Sequence, residues 1–163
     1  MIILSIGTNI GDREQNIENA IVALGEIGKV TTISPIYSSE PWGFESENGF
    51  YNIALILETS LSPLELLKET QRIEKELGRT SKTTTTYTDR IIDIDLIDYD
   101  NQIIDTDTLT LPHKLMHKRN FVLYPLTDIA PEWQHPTLKL TALELKKAST
   151  DPSMVHILTT TTE

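Results

Sequence analysis

Residues 90–97 read Arg-Ile-Ile-Asp-Ile-Asp-Leu-Ile and carry the most informative pattern in the sequence. Apolar residues alternate with aspartate here, and strict alternation is typical of a β-strand with one buried face. Successive side chains of a strand point to opposite faces, so Asp93 and Asp95 share one face. The apolar residues point the other way and anchor the strand in the core. We therefore predict a strand from Ile91 to Tyr99.

Upstream of this strand, strand-like and helix-like segments alternate. Three segments rich in β-branched and other apolar residues predict strands. They span residues 2–6, 30–38 and 50–58. Apolar residues at helical spacing predict a helix over 13–25, with Asp12 as its N-cap. A second helix is predicted to begin at the capping box of Ser62 and to end at Gly78.

These elements run β-α-β-β-α-β, which is the ferredoxin-like split pattern. The predicted fold class is therefore α+β, an antiparallel sheet with helices packed on one face. A C-terminal extension follows Pro112, with helices predicted around 119–126 and 141–148 and a strand-like stretch at 155–158. We expect a single domain over residues 1–158 and a frayed tail at 159–163.

The composition excludes some kinds of site and argues against some kinds of partner. The 163 residues include 14 Lys and Arg against 24 Asp and Glu, a net charge of −10, and contain no cysteine. The negative charge argues against nucleic acid or an anionic membrane as a partner, and the lack of cysteine excludes disulfides and zinc-thiolate sites. Apolar runs are far shorter than the ~18–20 residues of a membrane span. We expect a monomer in the cytoplasm.

The two aspartates are the strongest chemical signal. At a rise of ~3.3 Å per residue, the α-carbons of Asp93 and Asp95 lie about 6.6 Å apart. Carboxylates at this spacing are able to converge on two magnesium ions, which share such ligands with substrate phosphates. The pattern alone leaves a second interpretation open, in which both aspartates are solvated on the outer face of a half-exposed strand.

Basic and aromatic residues suggest how a substrate is held. Arg90 and Arg119 are candidate phosphate ligands, because a guanidinium donates two parallel hydrogen bonds. His113 is a further candidate, since its ring is able to donate to a phosphate oxygen. Phe50 and Phe121 are candidates to sandwich a planar heterocycle, although the residues alone favour a place in the core for both. Asn52 is a candidate to read the edge of such a ring, since its amide offers a donor and an acceptor. No P-loop motif occurs in the sequence.

Several motifs together resemble the 6-hydroxymethyl-7,8-dihydropterin pyrophosphokinase family over nearly the whole chain. They are residues 5–9 (Ser-Ile-Gly-Thr-Asn), 39–43 (Ser-Glu-Pro-Trp-Gly), 50–52 (Phe-Tyr-Asn), 71–74 (Gln-Arg-Ile-Glu), 78–79 (Gly-Arg), 90–96, and 111–113 (Leu-Pro-His) with Arg119 and Phe121. The resemblance implies transfer of the pyrophosphoryl group of MgATP to the pterin's hydroxymethyl group, with release of AMP, in folate biosynthesis.

The resemblance also implies a role for individual residues. The implied catalytic residues are Arg79, Arg90, Asp93 and Asp95, and the last two are the implied ligands of two Mg²⁺ ions. The implied pterin site contains Ser39, Glu40, Trp42, Phe50, Asn52 and Phe121. The implied ATP site contains Gln71, Glu74, Arg90, Leu96, Thr110, His113, Lys114 and Arg119.

The sequence departs from the family in the implied catalytic loop. Within this loop, Ser81 stands where relatives often have arginine, and Tyr87 replaces a tryptophan. Outside the loop, Lys114 replaces an aromatic residue of relatives. Whether the threonine-rich residues 80–88 act as a lid is therefore open. Two alternative functions stay open: a pterin- and nucleotide-binding module with impaired catalysis, which the altered loop favours, and a two-metal hydrolase that uses the same aspartate pair.

Overall fold

A computed structural model of the chain describes residues 1–39, 49–78 and 91–158. The strands in these residues are β1 (Ile2–Thr8), β2 (Lys29–Ile33), β3 (Tyr37–Ser39), β4 (Phe50–Glu58), β5 (Asp93–Tyr99), β6 (Ile104–Asp105), β7 (Thr110–Leu111) and β8 (Val155–Ile157). The helices are α1 (Arg13–Gly25), α2 (Pro63–Glu76), α3 (Asn120–Ile129) and α4 (Ala142–Ala148), with a 3-10 turn at Met116–Lys118.

One antiparallel sheet organises the described chain. Its strand order is β5-β1-β4-β3-β8, and β2 pairs with β4 beside β3. In terms of the four predicted strands this order is fourth, first, third, second, as in a ferredoxin-like split β-α-β arrangement. The α+β class is therefore confirmed. Strands β6 and β7 form a separate two-stranded ladder.

The second predicted strand, residues 30–38, is divided into β2 and β3. Pro35 lies in the gap, and proline has no N–H to donate to a strand ladder. The chain stays attached to β4 at this kink because the Ser34 N–H donates to the Ala54 carbonyl (2.9 Å) and the Ala54 N–H donates to Ser34 Oγ (2.9 Å). Both halves therefore pair with the same neighbour.

Helices cover both faces of the sheet, so the expectation of helices on one face holds only for α1 and α2. On that face, Ile6 of β1 packs with Leu24 of α1 and Ile73 of α2. On the opposite face, Ile3 and Ile97 pack with residues of α3 and α4. All of β1 is buried, which is the pattern of a strand covered on both sides. The C-terminal extension thus supplies the second layer.

Helix α3 continues through Pro125, where the sequence predicts an end. Proline removes one backbone hydrogen bond within a helix. Here Val122, Leu123 and Leu126 are buried around it, and burial of each such side chain is worth about 1.5–3 kcal/mol. Packing therefore outweighs the lost bond. No helix in the described ranges is both long enough and apolar enough to cross a membrane.

Candidate active site

The two aspartates lie on the face of the sheet that α3 covers. Asp93 is opposite Gly7 of β1, and Asp95 is opposite Ser5. Both carboxylates are half-buried, whereas the intervening Ile94 is buried on the other face, in the core beneath α1 and α2. The predicted alternation of β5 is therefore confirmed, and the acidic pair faces the same side as the first turn of α3.

An amide is held on the same face, two strands away from the aspartates. Asn52 of β4 is also opposite Gly7, and its Nδ2 donates to Ser39 Oγ of β3 at 3.1 Å. A Cβ atom added to Gly7 would lie 2.7 Å from Asn52 Oδ1 and 3.8 Å from Phe50 Cδ1. Asn52, Gly7 and Asp93 thus form a row across three strands, about 10 Å long at the usual strand spacing.

The first turn of α3 presents a ring and a guanidinium to this face. Phe121 is half-buried, and the Arg119 guanidinium carbon lies 5.6 Å from its ring centroid. Further along α3, the Tyr124 ring contacts the Tyr37 ring edge-on at 6.1 Å, and the Tyr37 hydroxyl donates to Asp128. These contacts attach α3 to β3, and β3 pairs with β4 at Phe50. Phe121 and Phe50 therefore lie on facing elements.

His113 links the segment that follows β7 to strand β5. It follows a cis peptide bond between Leu111 and Pro112, and its N–H donates to the Ile97 carbonyl at 2.9 Å. Its Nδ1 accepts the Leu115 N–H at 3.2 Å, so in the neutral ring the proton lies on Nε2. Burial lowers the pKa of His113, the charge of Arg119 lowers it further, and Asp93 opposes them. Arg119 and Asp93 therefore both influence the charge of His113, and Nε2 is the donor of the ring in its neutral form.

Glu74 of α2 holds the strand that carries the aspartates. Its side chain is buried, and Oε2 accepts the Ile94 N–H at 2.7 Å. β5 is an edge strand, and this bond gives the Ile94 N–H the acceptor that a further strand would otherwise supply. Gln71, one helical turn earlier, is exposed. The Leu96 side chain is buried, so only its backbone is available to a nucleotide.

The remaining nucleotide-side candidates line an open cleft. Thr110 and Lys114 border a cavity of about 260 Å³, together with His117 and His135. A larger cavity of about 510 Å³ lies at the other end of β5, where Asp100 follows the strand. It contains none of the candidate site residues.

Four candidate residues lie outside the described ranges: Glu40, Trp42, Arg79 and Arg90. The proposed lid at 80–88 and the tail at 159–163 lie outside them as well.

The donor set of the acidic pair fits magnesium. Both side chains offer only carboxylate oxygen, which is the ligand that hard cations prefer. In the described ranges, no three His, Asp or Glu side chains form a metal-binding group. Magnesium commonly completes such a site with substrate phosphates and water.

Sequence reasoning did not predict the structural roles of three supporting residues, although Gly7 and Glu74 both lie in the family motifs. The first is Gly7, whose lack of a side chain makes room for Asn52. The second is Glu74 in its bond to β5, and the third is Arg13, whose Nη1 donates to the Gly49 carbonyl at 2.8 Å. Of these three roles, only that of Gly7 had a signal in the sequence, because a glycine ends an otherwise apolar strand. The other two contacts join residues 20 and 36 positions apart.

A carboxylate pair, a neutral imidazole and a guanidinium beside a ring and an amide are typical of an enzyme that transfers phosphoryl groups to a planar substrate. A family profile described as 7,8-dihydro-6-hydroxymethylpterin-pyrophosphokinase (HPPK) matches residues 3–131. The chain belongs to this family. It is an enzyme, a pyrophosphokinase of folate biosynthesis.

Curated relatives are similar in sequence to this chain over most of its length. The 2-amino-4-hydroxy-6-hydroxymethyldihydropteridine pyrophosphokinase of Aquifex aeolicus is 40% identical over 147 residues, 90% of this chain and 91% of the relative. The Porphyromonas gingivalis enzyme of the same name is 42% identical over 139 residues, 83% of this chain and 94% of its own. The folic acid synthesis protein FOL1 of Dictyostelium discoideum is 40% identical over 96% of this chain, which spans 23% of that protein.

A solved structure supports the fold. The Plasmodium falciparum HPPK-DHPS crystal structure with SDX-DHP superposes with a TM-score of 0.71 at 17% identity. The match covers 90% of this chain and 43% of the Plasmodium chain.

Proposed function

We propose that this chain transfers the pyrophosphoryl group of MgATP to the hydroxymethyl group of 6-hydroxymethyl-7,8-dihydropterin. The observation that carries the proposal is the row formed by Asn52, Gly7 and Asp93. It puts an amide suited to a pterin edge and a carboxylate suited to a metal–phosphate complex on one face, about 10 Å apart.

The proposed reaction joins the hydroxymethyl oxygen to the β-phosphorus of ATP. The bond between the β-phosphorus and the oxygen that bridges to the α-phosphorus breaks, AMP leaves with that oxygen, and the hydroxyl proton passes to solvent. Positioning and electrostatic stabilisation supply most of the rate enhancement in transfers of this kind.

On the pterin side, Phe50 and Phe121 stack on the two faces of the ring. Aromatic side chains on facing elements suit a flat heterocycle. Asn52 binds the polar edge, and Ser39 holds the Asn52 amide in one orientation through its 3.1 Å hydrogen bond. Glu40 and Trp42 are proposed to line the same pocket.

On the phosphate side, His113 donates through Nε2, and Arg119 donates through its guanidinium. A protonated ring nitrogen of an imidazole donates a hydrogen bond to a phosphate oxygen. Arg79 and Arg90 are proposed as further phosphate ligands, with Arg79 on the lid. Gln71, Leu96, Thr110 and Lys114 are proposed to contact the nucleotide, and Glu74 acts by holding Ile94.

Asp93 and Asp95 would hold two magnesium ions with ATP. When bound, the ions neutralise triphosphate charge and favour ionisation of the attacking hydroxyl. The contribution of the chain is to hold both carboxylates on one face, through the β1 pairing and the Glu74 bond. The monomeric state and the cytoplasmic location stay predictions.

The test is an assay of AMP formation from MgATP, with and without 6-hydroxymethyl-7,8-dihydropterin. We expect AMP only when the pterin is present, in equal amount to the pterin diphosphate formed, and none after chelation of magnesium. Nucleotide cleavage without pterin would instead favour the two-metal hydrolase. Binding of both ligands without AMP would favour the catalytically impaired module.

A further inference from the structure

Asn120 is the first residue of α3 and lies between Arg119 and Phe121. The proposed function, on which this inference rests, assigns Arg119 to the phosphates and Phe121 to the pterin. Asn120 itself is 7% exposed, so it faces the protein. The direction of its two neighbours therefore depends on how the backbone is held at this residue.

The hydrogen bonds of Asn120 converge on a short C-terminal segment. Its backbone N–H donates to Asp151 Oδ2 at 2.8 Å. Its side-chain Nδ2 donates to the carbonyls of Asp151 (3.1 Å) and Ser153 (3.0 Å), and its Oδ1 accepts from Ser149 Oγ at 2.7 Å. One residue thus makes four bonds to residues 149–153, all 29–33 positions away.

These bonds replace the usual cap of α3. The N-cap residue, Arg119, makes no side-chain capping hydrogen bond, although the first N–H groups of a helix lack partners within the helix. The Asp151 carboxylate fills this role from a distant segment. Partial burial raises the pKa of Asp151, but hydrogen bonds from Asn120 and Ser153 and the charge of Arg119 outweigh it and lower the pKa below its usual value.

The same segment continues to the other wall of the pterin site. After residue 153 the chain enters β8, which pairs with β3 so that Val155 is opposite Ser39. The Leu158 N–H then donates to the Ile36 carbonyl at 2.7 Å. Residues 149–158 therefore contact both Asn120, which precedes Phe121, and the strand of Ser39. They lie beyond the family profile, which ends at residue 131.

We propose that residues 149–158 are a positioning element of the active site, which acts through Asn120 to orient Arg119 and Phe121. Asn120, Ser149 and Asp151 are positioning residues, because they hold the first turn of α3 and do not touch substrate. Loss of this network leaves the chemistry intact and weakens the binding of both substrates.

The test compares Asp151→Ala and Ser149→Ala with two controls. Thr150→Ala changes an exposed residue of the same segment, and Ser62→Ala removes the N-cap of α2, a matched loss of a helix cap elsewhere. Dissociation constants are measured for ATP with magnesium, and for the pterin in the presence of α,β-methylene-ATP, which cannot release AMP. KM, kcat and Tm are measured for each full-length variant.

For Asp151→Ala we expect both dissociation constants to rise about fivefold to twentyfold, the effect of a lost cap at the binding residues, with kcat at saturation nearly unchanged. Ser149→Ala, which deletes one hydroxyl, shows a smaller rise in the same two constants. Asp151→Asn keeps an acceptor for the Asn120 N–H and recovers most of the affinity. Ser62→Ala lowers Tm without changing either constant.

The proposal is overturned if Asp151→Ala and Ser149→Ala lower Tm but leave both constants at the wild-type value. It is also overturned if Ser62→Ala weakens binding as much as they do, since the effect would then be general destabilisation. If Asp151→Ala does not fold, Ser149→Ala decides. A wild-type protein that forms no AMP contradicts the proposed function, whereas an active wild type with unaffected variants contradicts only this inference.

Discussion

Gly7 separates the two chemical halves of the active-site face. Asn52 is opposite it on β4, and Asp93 is opposite it on β5. Any side chain at this position would meet the Asn52 carboxamide at 2.7 Å, closer than Cβ contacts allow. The amide that we assign to the pterin therefore occupies the space that a glycine leaves empty.

At Asp95, replacement by asparagine is expected to lower magnesium-dependent turnover by on the order of 100-fold or more, as for the loss of one preorganised electrostatic group. The fold should persist, because the side chain is half-exposed and asparagine has nearly the same size. Steady-state AMP formation and thermal unfolding measure the two effects. Asp107→Asn, on an exposed residue, is the control. Near-normal turnover of Asp95→Asn would refute the metal assignment.

At Phe121, replacement by alanine is expected to weaken pterin binding about 10-fold or more, the usual cost of losing an aromatic stacking partner. ATP binding should change much less, because the ring is assigned to the pterin alone. Calorimetric titration with each ligand distinguishes the two. Phe121→Leu keeps apolar bulk without an aromatic face, so it should resemble the alanine variant. Equal losses for both ligands would contradict stacking.

At the scale of elements, α2 and β5 are joined by a side chain. Ser62 begins α2 with a capping box, and Gly78, at a φ of 113°, follows its end. Between them, Glu74 binds the N–H of Ile94 on β5. The edge strand that carries the acidic pair is therefore held by β1 on one side and by a helix on the other.

For this contact, Glu74→Ala is expected to cost about 1–3 kcal/mol of stability, because the Ile94 N–H loses its buried acceptor. It should also raise the magnesium concentration needed for half-maximal turnover, since β5 is held less firmly. Glu74→Gln retains an acceptor and should recover most of both. Denaturant unfolding and magnesium titration of AMP formation measure them. If glutamine restores stability but not the magnesium response, the carboxylate acts on the nucleotide complex itself.

At the scale of the whole molecule, three histidines link stability to pH. Burial is the main cause of a lowered pKa at His113, His117 and His135. His135 Nδ1 also accepts the N–H groups of Thr137 (3.2 Å) and Leu138 (3.0 Å), and protonation of Nδ1 would break both bonds. The folded protein therefore binds fewer of these protons than the unfolded chain.

The free energy of unfolding should accordingly be highest above the unfolded histidine pKa of about 6.5 and should fall as pH drops below it. Denaturant unfolding at pH 7.5, 6.5 and 5.5 measures this slope. His135→Asn keeps an acceptor that does not titrate, so its slope should be shallower. His156→Asn, at an exposed residue, should leave the slope unchanged. A slope of opposite sign, or one that His135→Asn does not alter, would contradict this account.

Residue patterns alone were enough to predict the order of the first strands and helices, the common face of Asp93 and Asp95, and the family resemblance. These depend on periodicity and short motifs, which are properties of neighbouring residues. The packed structure was needed to show that α3 and α4 cover the second face, that Glu74 holds Ile94, and that Asp151 caps α3 through Asn120. Those contacts join residues 20 and 31 positions apart. No local pattern encodes them, because they exist only once the packed chain brings distant segments together.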